Sequence, residues 1–121
     1  IVLDGAHNRQ SARRLAETVR AHFPGRKLAM IFGASEDKDI AGMFAELLPL
    51  AAGVVLVQAG HPRAAKTDVL AALAEECGSP VTVLAEAEQV FPAAARIAGQ
   101  DGVILVTGSL YLVGDLRRFL S

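Results

Sequence analysis

The sequence has 121 residues, 52% of them hydrophobic, 5% aromatic and none tryptophan, which is the size of one domain and excludes a disordered chain. A chain of this length buries about two thirds of the surface its unfolded form exposes. Twelve basic against thirteen acidic residues leave a net charge of -1, so no broad basic field favours nucleic acid, and no apolar run reaches the roughly 18 residues of a membrane span.

In chain order, the pattern opens with a strand-like run over residues 1–3. Ala12, Leu15, Ala16 and Val19 then recur at helical spacing, while Arg13, Arg14, Glu17 and Arg20 face away as a wet surface. Asn8 is suited to cap this helix and Pro24-Gly25 to end it. A second strand over 28–32 precedes a second helix over 39–48. A third strand over 54–57 precedes a third helix that starts near Thr67, read as its N-cap. That helix places Leu70, Leu73, Ala74 and Cys77 on one side and stops at Gly78-Ser79-Pro80. Cys77 is the one cysteine and is expected to pack there; its lack of a partner fits a reducing, cytoplasmic compartment. A fourth strand over 81–84 leads to a helix over 88–98, which tolerates Pro92 only in its first turn. A fifth strand over 103–106 leads to a helix over 111–120, slightly weakened by Gly114.

The strand runs are nearly continuous in apolar residues, as expected where both faces are covered. Strand and helix alternate five times. This predicts an α/β fold, a Rossmann-like three-layer domain with a mainly parallel sheet of five or six strands and helices on both faces. The chain starts at Ile1 directly in a strand, and we read it as one domain, residues 1–121, cut from a longer polypeptide.

In an open parallel sheet, ligands bind beyond the C-terminal strand ends. There the sequence places Asp4-Gly5-Ala6-His7-Asn8, Gly33-Ala34-Ser35-Glu36-Asp37-Lys38-Asp39, Gly60-His61-Pro62-Arg63 and Thr107-Gly108-Ser109. Many such residues serve as ordinary caps and turns; Asp37 and Asp39 suit the start of a helix. Lys38 between them does not, because a cation beside a helix N-terminus calls for an anionic partner or ligand. Gly5 and Gly33 suit close approach of backbone to a ligand. Glu86 and Glu88, after the fourth strand, fit the first turn of a helix. Phosphate would suit this edge, with free helix N–H groups, the charge of Lys38, and Asp4 for a ribose hydroxyl or a metal-held water. Neither a G-x-x-x-x-G-K-[ST] loop nor a G-x-G-x-x-G turn occurs. The chain therefore carries at most half of a nucleotide site.

At these same strand ends the sequence resembles the folylpolyglutamate synthase/dihydrofolate synthase family, a branch of the Mur ligase superfamily. Leu3-Asp4-Gly5-Ala6-His7-Asn8 matches its L-D-G-A-H-N-P, and Gly33 to Asp39 matches its G-x-x-x-D-K-D. Thr107-Gly108-Ser109-Leu110-Tyr111-Leu112-Val113-Gly114-Asp115-Leu116-Arg117 matches its (T/C)-G-S-L-Y-L-V-G-E-V-R. The order and spacing of the three motifs tie together nearly the whole chain. Arg9 stands where the family usually has Pro, and Asp115 where it usually has Glu.

The resemblance implies the C-terminal domain of an ATP-dependent ligase. Such an enzyme adds L-glutamate to dihydropteroate or a (tetrahydro)folate through an acyl phosphate, in folate biosynthesis. It implies ATP and Mg²⁺ held mainly by an N-terminal P-loop domain that is missing here, so this domain alone is expected to be inactive. It assigns Asp4 to ATP, and His7, Lys38 and Ser109 to the incoming glutamate or the acyl phosphate, with His7 and Lys38 as catalytic residues. Asp37 and Asp39 would orient Lys38 and its loop. Arg63 is more simply a solvated loop residue and Tyr111 a packing residue. No metal ligand, nucleic acid or membrane partner is expected of this chain. Two rivals remain: a muramyl ligase domain acting on a cell-wall precursor, and a receiver-like signalling module. The second would need an Asp after the third strand, where this chain has Gln58-Ala59-Gly60.

Overall fold

The computed structural model describes residues 1–60 and 62–119, with residues 110 and 111 described by their backbone alone. Strands β1 (Val2–Leu3), β2 (Leu28–Phe32), β3 (Gly53–Leu56), β4 (Val81–Val83) and β5 (Val103–Thr107) form one sheet in the order β1-β5-β2-β3-β4. Every pairing is parallel. The helices are α1 (Arg9–His22), α2 (Ile40–Leu47), α3 (Thr67–Glu76), α4 (Val90–Ala98) and α5 (Leu110–Arg117). The expected α/β architecture is observed, with five strands.

Strand alternation sorts the apolar residues into two cores. Leu28, Met30 and Phe32 of β2, Val54 and Leu56 of β3, and Val103 and Leu105 of β5 pack under α1, α2 and α3. Ala29, Ile31, Val55 and Val106 point the other way, under α4 and α5. The crossovers from β1 to β2, β2 to β3 and β3 to β4 thus share one face and one direction across the sheet. The return from β4 to β5 runs backwards on the other face. A uniformly right-handed set of crossovers requires this reversal.

Every residue of β2 and β3 is buried. The edge strands correct the expectation of cover on both faces: β1 is half-buried, and Val83 of β4 is 47% exposed. Their apolar runs reflect parallel pairing on one side only.

Local chemistry accounts for the helix ends. Asn8 caps α1 as expected: its side chain accepts from the Ser11 N–H at 2.8 Å, and the Ser11 hydroxyl accepts from the Asn8 N–H at 3.1 Å. Asp39 caps α2 through the Gly42 N–H at 3.1 Å. Thr67 is not a cap. It opens α3, and Lys66 holds the cap position without a side-chain bond; within the first turn Asp68 accepts from the Val69 N–H at 2.9 Å. Pro92 lies in the first turn of α4, after a 3₁₀ turn over Ala87–Gln89. The expected end of the last helix, residue 120, lies outside the described residues.

Two side-chain expectations are corrected. Cys77 is exposed, because α3 ends at Glu76 and the chain turns away at Gly78, where φ is 77°. Arg9 and Arg13 are more than a wet surface. They donate to the Glu46 carboxylate on α2 at 3.1 and 3.4 Å and couple the two helices. Arg9 first, then Arg13, holds the Glu46 carboxyl below its ordinary range.

The two largest fully buried side chains join sheet and helix: the Phe32 and Phe44 rings meet edge to face with centroids 4.7 Å apart. Both side chains are fully buried. Phe44→Ala should therefore lower stability by about 3–5 kcal/mol in denaturant unfolding. A loss under 1 kcal/mol would show that α2 does not depend on this contact.

Candidate functional site

The sheet order gathers the motifs. With β5 between β1 and β2, Val106 lies opposite Leu3 and Thr107 opposite Phe32. The Asp4 N–H extends the ladder, donating to the Val106 carbonyl at 3.0 Å. The loops bearing Asp4, Lys38 and Ser109 thus leave neighbouring strands, each about 4.8 Å from the next. The helices after β1 and β2 lie on one face and the helix after β5 on the other. The chain parts on either side of β5, the position at which open α/β sheets bind ligands. Glu86 and Glu88 lie at the end of β4, three strands from β5. Both are exposed in or beside the 3₁₀ turn and take no part.

Asp4 is half-buried just past β1, and its Oδ1 accepts from the Ala6 N–H at 2.8 Å, which turns the chain. His7 is exposed at the loop's crest. Its N–H donates to the Ser11 hydroxyl at 3.0 Å, and its ring Nδ1 lies 3.4 Å from the Gly5 carbonyl. Lys38 is half-buried, its N–H donating to the Ser35 carbonyl at 3.2 Å. Ser109 is 7% exposed, and its carbonyl accepts from the Val113 N–H at 3.1 Å, which fixes it at the start of α5.

The two aspartates flanking Lys38 shape its loop and do not pair with it. Asp37 accepts from the Ser35 hydroxyl at 2.6 Å, and Asp39 is occupied with the cap of α2. Among the described residues no carboxylate stands within ion-pair distance of the Lys38 ammonium. The Ser35 bond, ahead of the charges of Arg63 and Lys38, holds the Asp37 carboxyl below its ordinary value of 3.8.

Glycines here serve packing. A Cβ on Gly33 would strike the Val57 carbonyl and come within 3.3 Å of Leu112, so packing alone requires a glycine here. Gly108 has φ 112°, and its Cβ would stand 2.6 Å from the Gly33 carbonyl and 2.9 Å from the Phe32 ring. Just before it, the hydroxyl of Thr107 is buried with no hydrogen-bond partner among the described residues.

Nothing in the sequence pattern pointed to Asp115 as a tie between α5 and a distant loop. Its Oδ2 accepts from the Gly60 N–H at 2.7 Å, across 55 positions that no local pattern connects. Arg63 lies 4.0 Å from Glu36 in an exposed pair. His61 and the side chain of Tyr111 lie outside the described residues. A cleft of about 370 Å³ opens between the starts of α2 and α3, lined by Glu36, Lys38, Asp39, Lys66 and Val69. Among the described residues no three His, Cys, Asp or Glu side chains gather to hold a metal, and no helix is long and apolar enough to cross a membrane.

The family model described as Mur ligase, glutamate ligase domain, matches residues 1–110. The chain belongs to that family. The domain is 40% identical over 97% of its length to a probable bifunctional folylpolyglutamate synthase/dihydropteroate synthase of Halobacterium salinarum, and covers 14% of that protein. It is 28% identical over its whole length to the dihydrofolate synthase/folylpolyglutamate synthase of Bacillus subtilis, and covers 28% of it. Among solved structures it resembles the folylpolyglutamate synthase of Mycobacterium tuberculosis complexed with ADP. The TM-score is 0.88 at 30% identity, over 98% of this chain and 29% of that one. The domain thus spans under a third of the proteins it matches.

Two outcomes follow from this geometry. Gly108→Ala should destabilise the domain by about 1–3 kcal/mol from backbone strain alone; unchanged thermal unfolding would mean the turn relaxes freely. Ser35→Ala should raise the Asp37 titration, followed by NMR, toward 3.8. A carboxylate held low adds stability above its unfolded pKa and loses it as pH falls through its folded pKa. The variant should therefore lose that increment above pH 3.8, with the difference vanishing in stronger acid.

Proposed function

We propose that this domain is the C-terminal part of an ATP-dependent ligase that joins L-glutamate to dihydropteroate or a (tetrahydro)folate. The observation that carries the reading is the juxtaposition of the three motif loops around β5, in a chain 40% identical to a folylpolyglutamate synthase relative along 97% of its length. The whole enzyme would include an N-terminal domain that holds ATP on a P-loop, with this domain closing over it.

In this reaction a substrate carboxylate attacks the γ-phosphorus of ATP, giving an acyl phosphate and releasing ADP. The glutamate amine then attacks the acyl carbon. The phosphate departs with the C–O bond electrons, and the amine loses a proton as the amide forms. Binding energy holds amine and acyl phosphate in line and excludes water that would hydrolyse the intermediate. Asp4 is the residue for the nucleotide. His7, Lys38 and Ser109 are those for the glutamate carboxylates or the reacting phosphate, and Lys38 brings an ammonium unpaired among the described residues. An ammonium placed beforehand stabilises developing phosphate charge without rearrangement. Mg²⁺ would accompany ATP on the other domain and neutralise its phosphates.

The test is ATP-dependent glutamate addition by the full-length protein, offered dihydropteroate, tetrahydrofolate and a muramyl precursor side by side. Turnover should occur on a pteroate or folate acceptor. It should fall by about a hundredfold or more in Asp4→Ala and Lys38→Ala, whose thermal unfolding stays close to wild type. Turnover on the muramyl precursor alone would move the protein to cell-wall chemistry. Full activity in Asp4→Ala would remove the nucleotide role.

A further inference from the structure

The loops after β2 and β3 are joined to each other. Ser35 and Ala64 form an antiparallel bridge. The Glu36 N–H donates to the Arg63 carbonyl at 2.7 Å, and the Ala65 N–H to the Ala34 carbonyl at 2.8 Å. Lys38 follows within the first loop and Gly60 stands at the head of the second. This pair of loops is tied in turn to α5. Asp115, half-buried and roughly one and a half turns beyond Ser109, accepts the Gly60 N–H at 2.7 Å. The fit is close, since a Cβ on Gly60 would stand 2.6 Å from the same carboxylate oxygen.

We propose that Asp115 is a positioning residue: through Gly60 and the paired loops it fixes Lys38 relative to Ser109, and so sets the pocket for the incoming amino acid. Asp115 need not touch substrate. Its work is that of a half-buried acceptor between loop and helix, and a charged acceptor bonds more strongly than a neutral one. Such a tie acts on the geometry of the amino-acid side of the site. The nucleotide side, carried by Asp4 just past β1, hangs from β5 by the strand ladder and does not pass through Gly60. Asp115→Ala should therefore change glutamate binding and spare ATP binding. The split rests on the ligase reading given above; the tie itself does not.

Four variants of the full-length protein test it: Asp115→Ala, Asp115→Asn, Gly60→Ala, and Asp115→Ala combined with Gly60→Ala. Two readouts are taken, steady-state kinetics and amide hydrogen exchange at Gly60, Glu36 and Ala65. Asp115→Ala should raise KM for glutamate about tenfold, the effect of one hydrogen bond to a charged acceptor. KM for ATP should stay within about twofold, and exchange at all three amides should quicken. Asp115→Asn keeps an acceptor oxygen and should recover most of both effects. Gly60→Ala should mimic Asp115→Ala when alone and add little in its absence, since the clash has been removed.

Unchanged exchange in Asp115→Ala would overturn the tie. So would an Asn variant as impaired as the Ala variant, because the carboxylate charge would then act in some other way. Equal rises in KM for glutamate and ATP would overturn the selective positioning. If wild type turns over no acceptor, the ligase reading fails, while the exchange data still decide the tie.

Discussion

The hydrogen-bond ladder that β5 makes with β1 on one side and β2 on the other governs what this domain presents at its edge. It brings Asp4, Ser109 and the loop of Lys38 to adjacent strand ends, though they are far apart in sequence. It also places one following helix against one face of the sheet and two against the other. A strand order with β5 at an edge would keep every motif and scatter them. The closeness of this ladder at its upper end depends on two residues without side chains. Gly108 passes against the Phe32 ring and the Gly33 carbonyl, and Gly33 passes against Val57 and Leu112.

Packing around that ladder uses small residues. Ala93, Ala94 and Ala98 of α4 and Ala12 and Ala16 of α1 face the sheet, so helices sit close and few aromatics are needed. The exceptions are Phe32 and Phe44, whose edge-to-face contact fills the space below the switch between β5 and β2. Site and core therefore share a wall: the ring that stabilises α2 is the ring against which Gly108 turns.

The sequence disclosed this fold well where chemistry is local. The apolar run of β2, the Asn8 cap of α1 and the position of Pro92 all follow from neighbours within four residues. It disclosed the candidate residues because parallel sheets put polar loops at one end, and the family motifs fall there. It was silent where two distant segments meet. Strand order depends on which pairing buries more surface. The bond from Gly60 to Asp115 joins a turn and a helix whose proximity only the finished sheet creates. Cys77 misled because helical periodicity says which side a residue is on, but not whether the helix still lies against the core at that point. Arg9 and Arg13 misled in the opposite sense, since a polar face can meet a second helix as well as water.

The position of β5 also has a meaning in time. Of the five described strands it comes latest in sequence and is one of the inner strands of the sheet, and β1, which comes earliest, pairs with no other described strand. Pairings so distant in sequence bear a large loop-closure cost and form slowly. Before β5 is in place, β2, β3 and β4 can pair with α2 and α3 beneath them, but β1, which leads to Asp4 and His7, lacks its strand partner. A nascent or truncated chain that stops short of residue 103 leaves the flank of β2 unpaired, an open edge that invites other strands. The motif loops therefore cannot lie side by side until β5 stands between β1 and β2.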